Sequence, residues 1–169
     1  MEVILDTNGL SAWLGGDESL KLKLIVAPGV WLSPIVLGEY RFGIKASRDR
    51  EVYERKLAEL AMDIPILPID AATSTSYAEI QQDLKKTGKP IPWHDVWIAA
   101  QAKQHGFGIV SRDGHFDFVQ GITRLSWQLT FLIPRHSLQV TRNLVKGASP
   151  LATHWFLKKR TAVMWWKNS

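Results

Sequence analysis

The 169-residue chain has no cysteine, which excludes disulfides, thiolate metal sites and cysteine nucleophiles. No apolar run approaches the roughly 20 residues that a membrane-spanning helix needs, so no membrane span is expected. The N-terminus, Met1-Glu2-Val3-Ile4-Leu5-Asp6, lacks a basic n-region and has only three consecutive apolar residues. It predicts a cytoplasmic protein without a signal peptide. There is no Gly-x-Gly-x-x-Gly, no Gly-Lys-Ser/Thr and no Gly-x-Ser-x-Gly, so dinucleotide, P-loop and serine-hydrolase sites lack their sequence marks. The last 42 residues also contain no Asp or Glu.

That last absence explains the charge. The chain has 21 basic and 16 acidic residues, a formal +5, which taken alone suggests nucleic acid or a membrane surface as partner. Residues 1–127 hold 14 Lys+Arg and all 16 acids, a charge of −2, whereas residues 128–169 hold 7 basic residues and carry +7. Hydrophobic content of 46% and charged content of 22% are those of a soluble globular chain. The expected organisation is a domain over 1–127 and a basic, Trp-rich C-terminal extension over 128–169.

Residues 1–127 read as strands alternating with helices. Val3-Ile4-Leu5 is a short buried strand ending in the polar turn Asp6-Thr7-Asn8-Gly9. Leu10, Trp13 and Leu14 have helical spacing, and Glu18 to Leu24 is a second, weaker helix. Val30-Trp31-Leu32 is a strand, followed by Ser33-Pro34, an N-cap with Pro at the first helical position. Arg48 to Met62 suits a surface helix, and Ile64 to Ile69 a proline-punctuated edge strand. Asp70 caps a helix closed by Gly88, and Trp93 to His105 is an Ala-rich helix ended by Gly106. Gly108 to Ser111 and Gly121 to Leu125 are the last strands, with a turn at Asp113-Gly114. Such alternation implies an α/β fold with a parallel sheet covered on both faces, in which ligands bind beyond the carboxyl ends of the strands.

Acids sit where that rule wants them. Asp6 ends the first strand. Glu39 lies within the otherwise apolar Ile35-Val36-Leu37-Gly38-Glu39-Tyr40, and Asp95 lies in the first turn of the Ala-rich helix. Asp113 follows the Ile109-Val110-Ser111 strand, and Asp117 comes four residues later. Several carboxylates at one strand edge raise each other's pKa and oppose folding unless a cation joins them. Mg²⁺ or Mn²⁺ accepts carboxylate and water oxygens. An ion so held can lower the pKa of a water and offset charge on the leaving oxygen of a phosphodiester. The expected chemistry is hydrolysis by metal-activated water attacking phosphorus in line, leaving 5′-phosphate and 3′-hydroxyl ends.

Four segments in this order and spacing resemble PIN-domain proteins, and within them the VapC-type toxins of bacterial toxin–antitoxin modules. They are Ile4-Leu5-Asp6-Thr7-Asn8, Ser33-Pro34-Ile35-Val36-Leu37-Gly38-Glu39, His94-Asp95-Val96-Trp97-Ile98-Ala99-Ala100 and Val110-Ser111-Arg112-Asp113-Gly114-His115-Phe116. The resemblance covers about residues 1–127. It implies a three-layer α/β/α sandwich around a central parallel sheet and a Mg²⁺- or Mn²⁺-dependent endoribonuclease acting on structured RNA such as tRNA or rRNA. It further implies a cognate antitoxin and a homodimer. Asp6, Glu39, Asp95 and Asp113 match the family's catalytic, metal-holding acids, and Asp117 matches an extra metal acid of some members. Thr7, Asn8 and Ser111 match supporting polar positions. Gly9 departs from the pattern, since a β-branched or apolar residue is common there. Trp93 and Trp97 stand where smaller residues are common, and the pair is expected to narrow the groove or stack on bases.

Each acid also has a plainer role open to it. Asp6 can cap the next helix, Glu39 can pair with Arg41 or Lys45, Asp95 can serve the helix dipole, and Asp113-Gly114 is a standard turn dipeptide. His94, His105 and His115 have spacings that match no helical ligand pair, which predicts surface or groove-edge residues, His115 being the best placed to touch a phosphate. An aspartyl-nucleophile phosphatase would carry Asp-x-Asp after the first strand, where this chain has Asp6-Thr7-Asn8. A non-catalytic PIN-like RNA-binding module is the other alternative. For the extension, three readings stand: an RNA-contacting arm, a membrane-interface segment, and an extension without its own function.

Overall fold

The computed structural model describes residues 1–127; the expectations for 128–169 lie outside the described residues. Four short strands form one parallel sheet: β1 (Val3–Leu5), β2 (Val30–Trp31), β3 (Gly108–Val110) and β4 (Arg124–Leu125). Their order is β2-β1-β3-β4. The helices are α1 (Thr7–Leu14), α2 (Glu18–Ile25), α3 (Pro34–Ile44), α4 (Arg50–Asp63), α5 (Ala71–Thr87) and α6 (Trp93–His105), with a 3-10 helix at Gly114–Phe118. The β1-to-β2 and β2-to-β3 connections run in opposite directions across the sheet. Right-handed crossovers therefore place their helices on opposite faces, giving the three-layer α/β/α sandwich.

Every residue of β1 and β3 is buried, as continuous apolar strands in a doubly covered sheet must be. The helix signals act where the sequence places them. Ser33 accepts from the Ile35 N–H at the head of α3, and Asp70 closes a capping box with Thr73 at the head of α5. Gly88 and Gly106 end α5 and α6 in left-handed conformation.

Two expected strands are shorter than read. Ile64 to Ile69 makes only one parallel bridge, Leu32 to Ile66, because Pro65 and Pro68 bring no N–H to a ladder. The carbonyls of Leu67 and Pro68 are instead taken by Nε2 of the buried Gln101 on α6, at 2.7 and 3.2 Å. Of Gly121 to Leu125, only Arg124–Leu125 pairs. Gly121 sits at φ +83°, which keeps the chain in a turn before the strand starts.

The topology creates one special place. From β1 the chain moves to β2 on one side, while β3 lies on the other, so the strand order reverses between β1 and β3. Beyond their carboxyl ends lies the crevice where such sheets bind ligands. Helix α1 starts there and approaches β3 so closely that a Cβ on Gly9 would lie 2.9 Å from the Val110 carbonyl oxygen. No side chain fits at position 9 without moving backbone, which accounts for the departure from the family pattern.

Candidate active site

Asp6 follows β1 and caps α1, its Oδ1 accepting the Gly9 N–H at 2.8 Å. Its Oδ2 accepts from Ser111 Oγ at 2.5 Å and from Asn8 Nδ2 at 2.7 Å. The capping role is thus real, but it does not use up the residue. Asp6 is only 5% exposed, and burial pushes its pKa up from 3.8 to about 6 against the pull of the Ser111 and Gly9 hydrogen bonds. The charges of Asp95 and Asp113 add to the rise.

Asn8 and Ser111 stitch β1 to β3. Asn8 Nδ2 also reaches Ser111 Oγ at 3.2 Å, and Asn8 Oδ1 accepts the Arg112 N–H at 3.0 Å. Ser111 Oγ in turn accepts the Asp113 N–H at 2.8 Å, which orients the loop carrying the next acid. Arg112 itself turns away. Its Nη2 lies 2.8 Å from Asp17 Oδ2, and its guanidinium sits 4.5 Å from the centre of the Trp127 ring, whose Nε1 donates to the same Asp17 oxygen.

Asp95 comes from the first turn of α6, a helix with Pro92 at its cap position and no side-chain cap. It is buried, and its pKa is raised, first by burial and then by Asp113 and Glu39, with His94 and His115 pulling the other way. Glu39 projects from α3. It does not pair with Arg41, which reaches Glu54 at 3.3 Å. Thr7 Oγ1 donates to Glu39 Oε2, and His94 Nε2 lies 3.2 Å from Glu39 Oε1. Asp6, Glu39, Asp95 and Asp113 all line one cleft, together with Thr7 and Asn8.

Two expectations need revision. Asp117 is not among these carboxylates: Arg124 on β4 holds both its oxygens, at 2.8 and 2.7 Å, and lowers its pKa. Trp97 does not face the cleft as half of a Trp pair but stacks on Tyr77 of α5, ring centres 4.3 Å apart; Trp93 alone is open, 62% exposed. His94 and His115 are groove-edge residues, 33% and 45% exposed as side chains, and both stand beside the acids. His115 Nδ1 lies 3.2 Å from Asp113 Oδ1 and 3.8 Å from Asp95 Oδ2. Folding brings His115, 21 positions from His94 in sequence, to the acid beside that residue, Asp95.

One ligand atom each from Asp95, Asp113 and His115 lie within 4.8 Å of one another. Two buried acids with raised pKa values, with Glu39 and Asp113 beside them and the Arg112 guanidinium bonded to Asp17, form a site rich in carboxylate. Oxygen-rich, partly open and negative, it fits a divalent cation.

A PIN domain model matches residues 3–121. The chain belongs to the PIN-domain family. Among curated relatives, VapC ribonuclease Y4jK of Sinorhizobium fredii is 35% identical over 121 residues, covering 66% of this chain and 86% of that protein. Toxin FitB of Neisseria gonorrhoeae is 31% identical over 121 residues, covering 66% and 87%. Among solved structures, FitAcB from Neisseria gonorrhoeae superposes with a TM-score of 0.62 at 28% identity, over 74% of this chain and 97% of that one. VapBC2 from Rickettsia felis, bound to a DNA fragment from its promoter, gives 0.69 at 23% identity over 75% and 99%, a likeness of fold. In this PIN-domain chain the four acids named from sequence stand in the crevice at the strand-order reversal. Among the described residues no helix is long and apolar enough to cross a membrane.

Proposed function

We propose that this PIN-domain protein is a metal-dependent endoribonuclease and the toxin of a toxin–antitoxin pair. The observation that carries the reading is the convergence of Asp6, Glu39, Asp95 and Asp113 on one cleft beyond β1 and β3, with the pKa of both buried acids raised. Asp6, Asp95 and Asp113 are assigned to the ion, Mg²⁺ or Mn²⁺, which when bound supplies a lowered pKa for water and offsets phosphate charge. Ser111, Asn8 and the Gly9 N–H fix the Asp6 carboxylate. Thr7 and His94 hold Glu39 at the cleft, where its carboxylate can take a proton from an entering water. The nuclease unit is assigned to residues 1–127.

Structured RNA, such as tRNA or rRNA, is the assigned substrate, a cytoplasmic location goes with it, and the partners are a cognate antitoxin and a second copy of the chain. The names of the relatives support the toxin assignment. Phe42 lines the cleft with 80% exposure and Trp93 is 62% exposed, an apolar presentation that favours a bound partner. The phosphatase alternative loses its chemistry at position 8. An acid is needed there, and Asn8 instead donates to Asp6 and Ser111.

The test incubates the purified full chain with tRNA and rRNA, with Mn²⁺ or with EDTA. Cleavage to 5′-phosphate and 3′-hydroxyl ends only with metal, lost in Asp95→Asn, is the expected result. RNA loss that is independent of metal sinks the reading, and binding without cleavage favours the non-catalytic module.

A further inference from the structure

His115 is half exposed as a side chain, yet its Nδ1 is cut off from solvent and makes no hydrogen bond. A buried ring nitrogen without a partner is costly. The oxygen nearest to it, Asp113 Oδ1, already accepts the His115 backbone N–H at 2.9 Å. Nδ1 nevertheless faces two carboxylates, 3.2 Å from Asp113 and 3.8 Å from Asp95. An octahedral ion with bonds of about 2.1 Å sets neighbouring ligand atoms about 3.0 Å apart and opposite ones about 4.2 Å apart. Both separations measured from Nδ1 fall between those limits. His94 differs: its Nε2 is closest to Glu39, at 3.2 Å, and 3.9 Å from Asp95, so it serves Glu39.

We propose that His115 Nδ1 is a metal ligand, giving this centre one nitrogen donor beside the oxygens of Asp95 and Asp113. The inference rests on the metal-dependent reading above. Its consequence is selectivity. Mg²⁺ keeps oxygen and water ligands, whereas first-row transition ions accept imidazole, so the nitrogen favours Mn²⁺ over Mg²⁺.

Pulsed electron paramagnetic resonance of the full chain loaded with Mn²⁺ reads the donor directly, without reference to cleavage. A directly bound imidazole gives strong ¹⁴N modulation, which changes to the ¹⁵N pattern when histidine alone is labelled. The expected result is modulation in the unaltered protein, lost in His115→Gln and kept in His94→Gln. In the same titrations His115→Gln weakens Mn²⁺ binding by about tenfold or more and Mg²⁺ binding by less than about threefold. Bound Mn²⁺ without histidine nitrogen modulation, or modulation lost in His94→Gln and kept in His115→Gln, overturns the proposal and leaves the metal site standing. No Mn²⁺ binding at millimolar concentration removes both. Should His115→Gln fail to fold, the ¹⁵N-histidine spectra of the unaltered protein and of His94→Gln still decide.

Discussion

Asp6 and Asp70 occupy the same local motif and live in opposite environments. Each caps a helix and accepts the N–H of the third helical residue, Gly9 at 2.8 Å in α1 and Thr73 at 2.9 Å in α5. Asp70 lies in solvent, and the bonds from Thr73, joined by Gln104, hold its pKa down. Asp6 also receives bonds, from Gly9, Ser111 and Asn8, yet burial beside Asp95 and Asp113 carries its pKa to about 6. Thr73 returns its Oγ1 to the Asp70 N–H to complete a capping box, while Gly9 has no side chain to return. The same sequence logic thus yields a stabilising cap at one end of the molecule and, at the other, a carboxylate held against its own preference for water. What separates them is the tertiary setting.

The largest test of this contrast is catalytic. Asp6→Asn is expected to lower RNA cleavage by about a thousandfold or more at saturating Mn²⁺, and Asp70→Asn to leave the rate unchanged. Equal rates for the two variants would erase the distinction. Next comes pH. A carboxyl whose pKa is raised on folding opposes folding once pH exceeds the unfolded value, and that penalty is complete above the folded value. For Asp6 the rise from 3.8 to about 6 corresponds to ~3 kcal/mol at pH 7 and above. Metal-free protein should therefore gain about 1–2 kcal/mol from this group between pH 7.5 and 5, and Mn²⁺ should raise Tm more at pH 7.5 than at pH 5. Asp70, with its pKa lowered, contributes stability above pH 3.8 that is lost as pH falls through its folded value. Calorimetry with and without EDTA separates the two windows.

A third test forces the caps to match. Gly9→Thr restores the capping-box residue, but its Cβ would meet the Val110 carbonyl at 2.9 Å. We expect a loss of about 1–3 kcal/mol in denaturant titration, in spite of the better helix former. A stabilised variant would mean that α1 can move away from β3. The smallest effect belongs to Asp117→Asn. Its pair with Arg124 is half exposed, so the variant should cost under about 1 kcal/mol and leave cleavage unchanged. A large loss of cleavage would return Asp117 to the site.

Much of this was legible from residues alone, because the decisive signals are local. Asp6 at the end of Val3-Ile4-Leu5 and Asp113 after Ile109-Val110-Ser111 announce themselves through strand-to-loop transitions. Capping at Ser33 and Asp70 and the stops at Gly88 and Gly106 are written in adjacent positions. What escaped was set across distance. The guanidinium that takes Asp117 comes from a strand of two residues, whose pairing with β3 no local pattern reveals. Trp97 looks like a groove residue until Tyr77, from another helix, covers it. His115 meets Asp95 only because α6 and the loop after β3 converge, and helical spacing cannot register such a meeting.

The bond from Ser111 to Asp6 spans 105 positions of sequence. During synthesis at about 5–20 residues per second, roughly 5–20 s pass between the appearance of the first acid and that of the segment that locks it. At the end of that interval the chain holds Asp6, Glu39 and Asp95 but not yet Ser111 or Asp113. A centre with this layout stays incomplete until position 113 has been made, and a chain interrupted before position 111 lacks both Asp113 and the hydroxyl that holds Asp6.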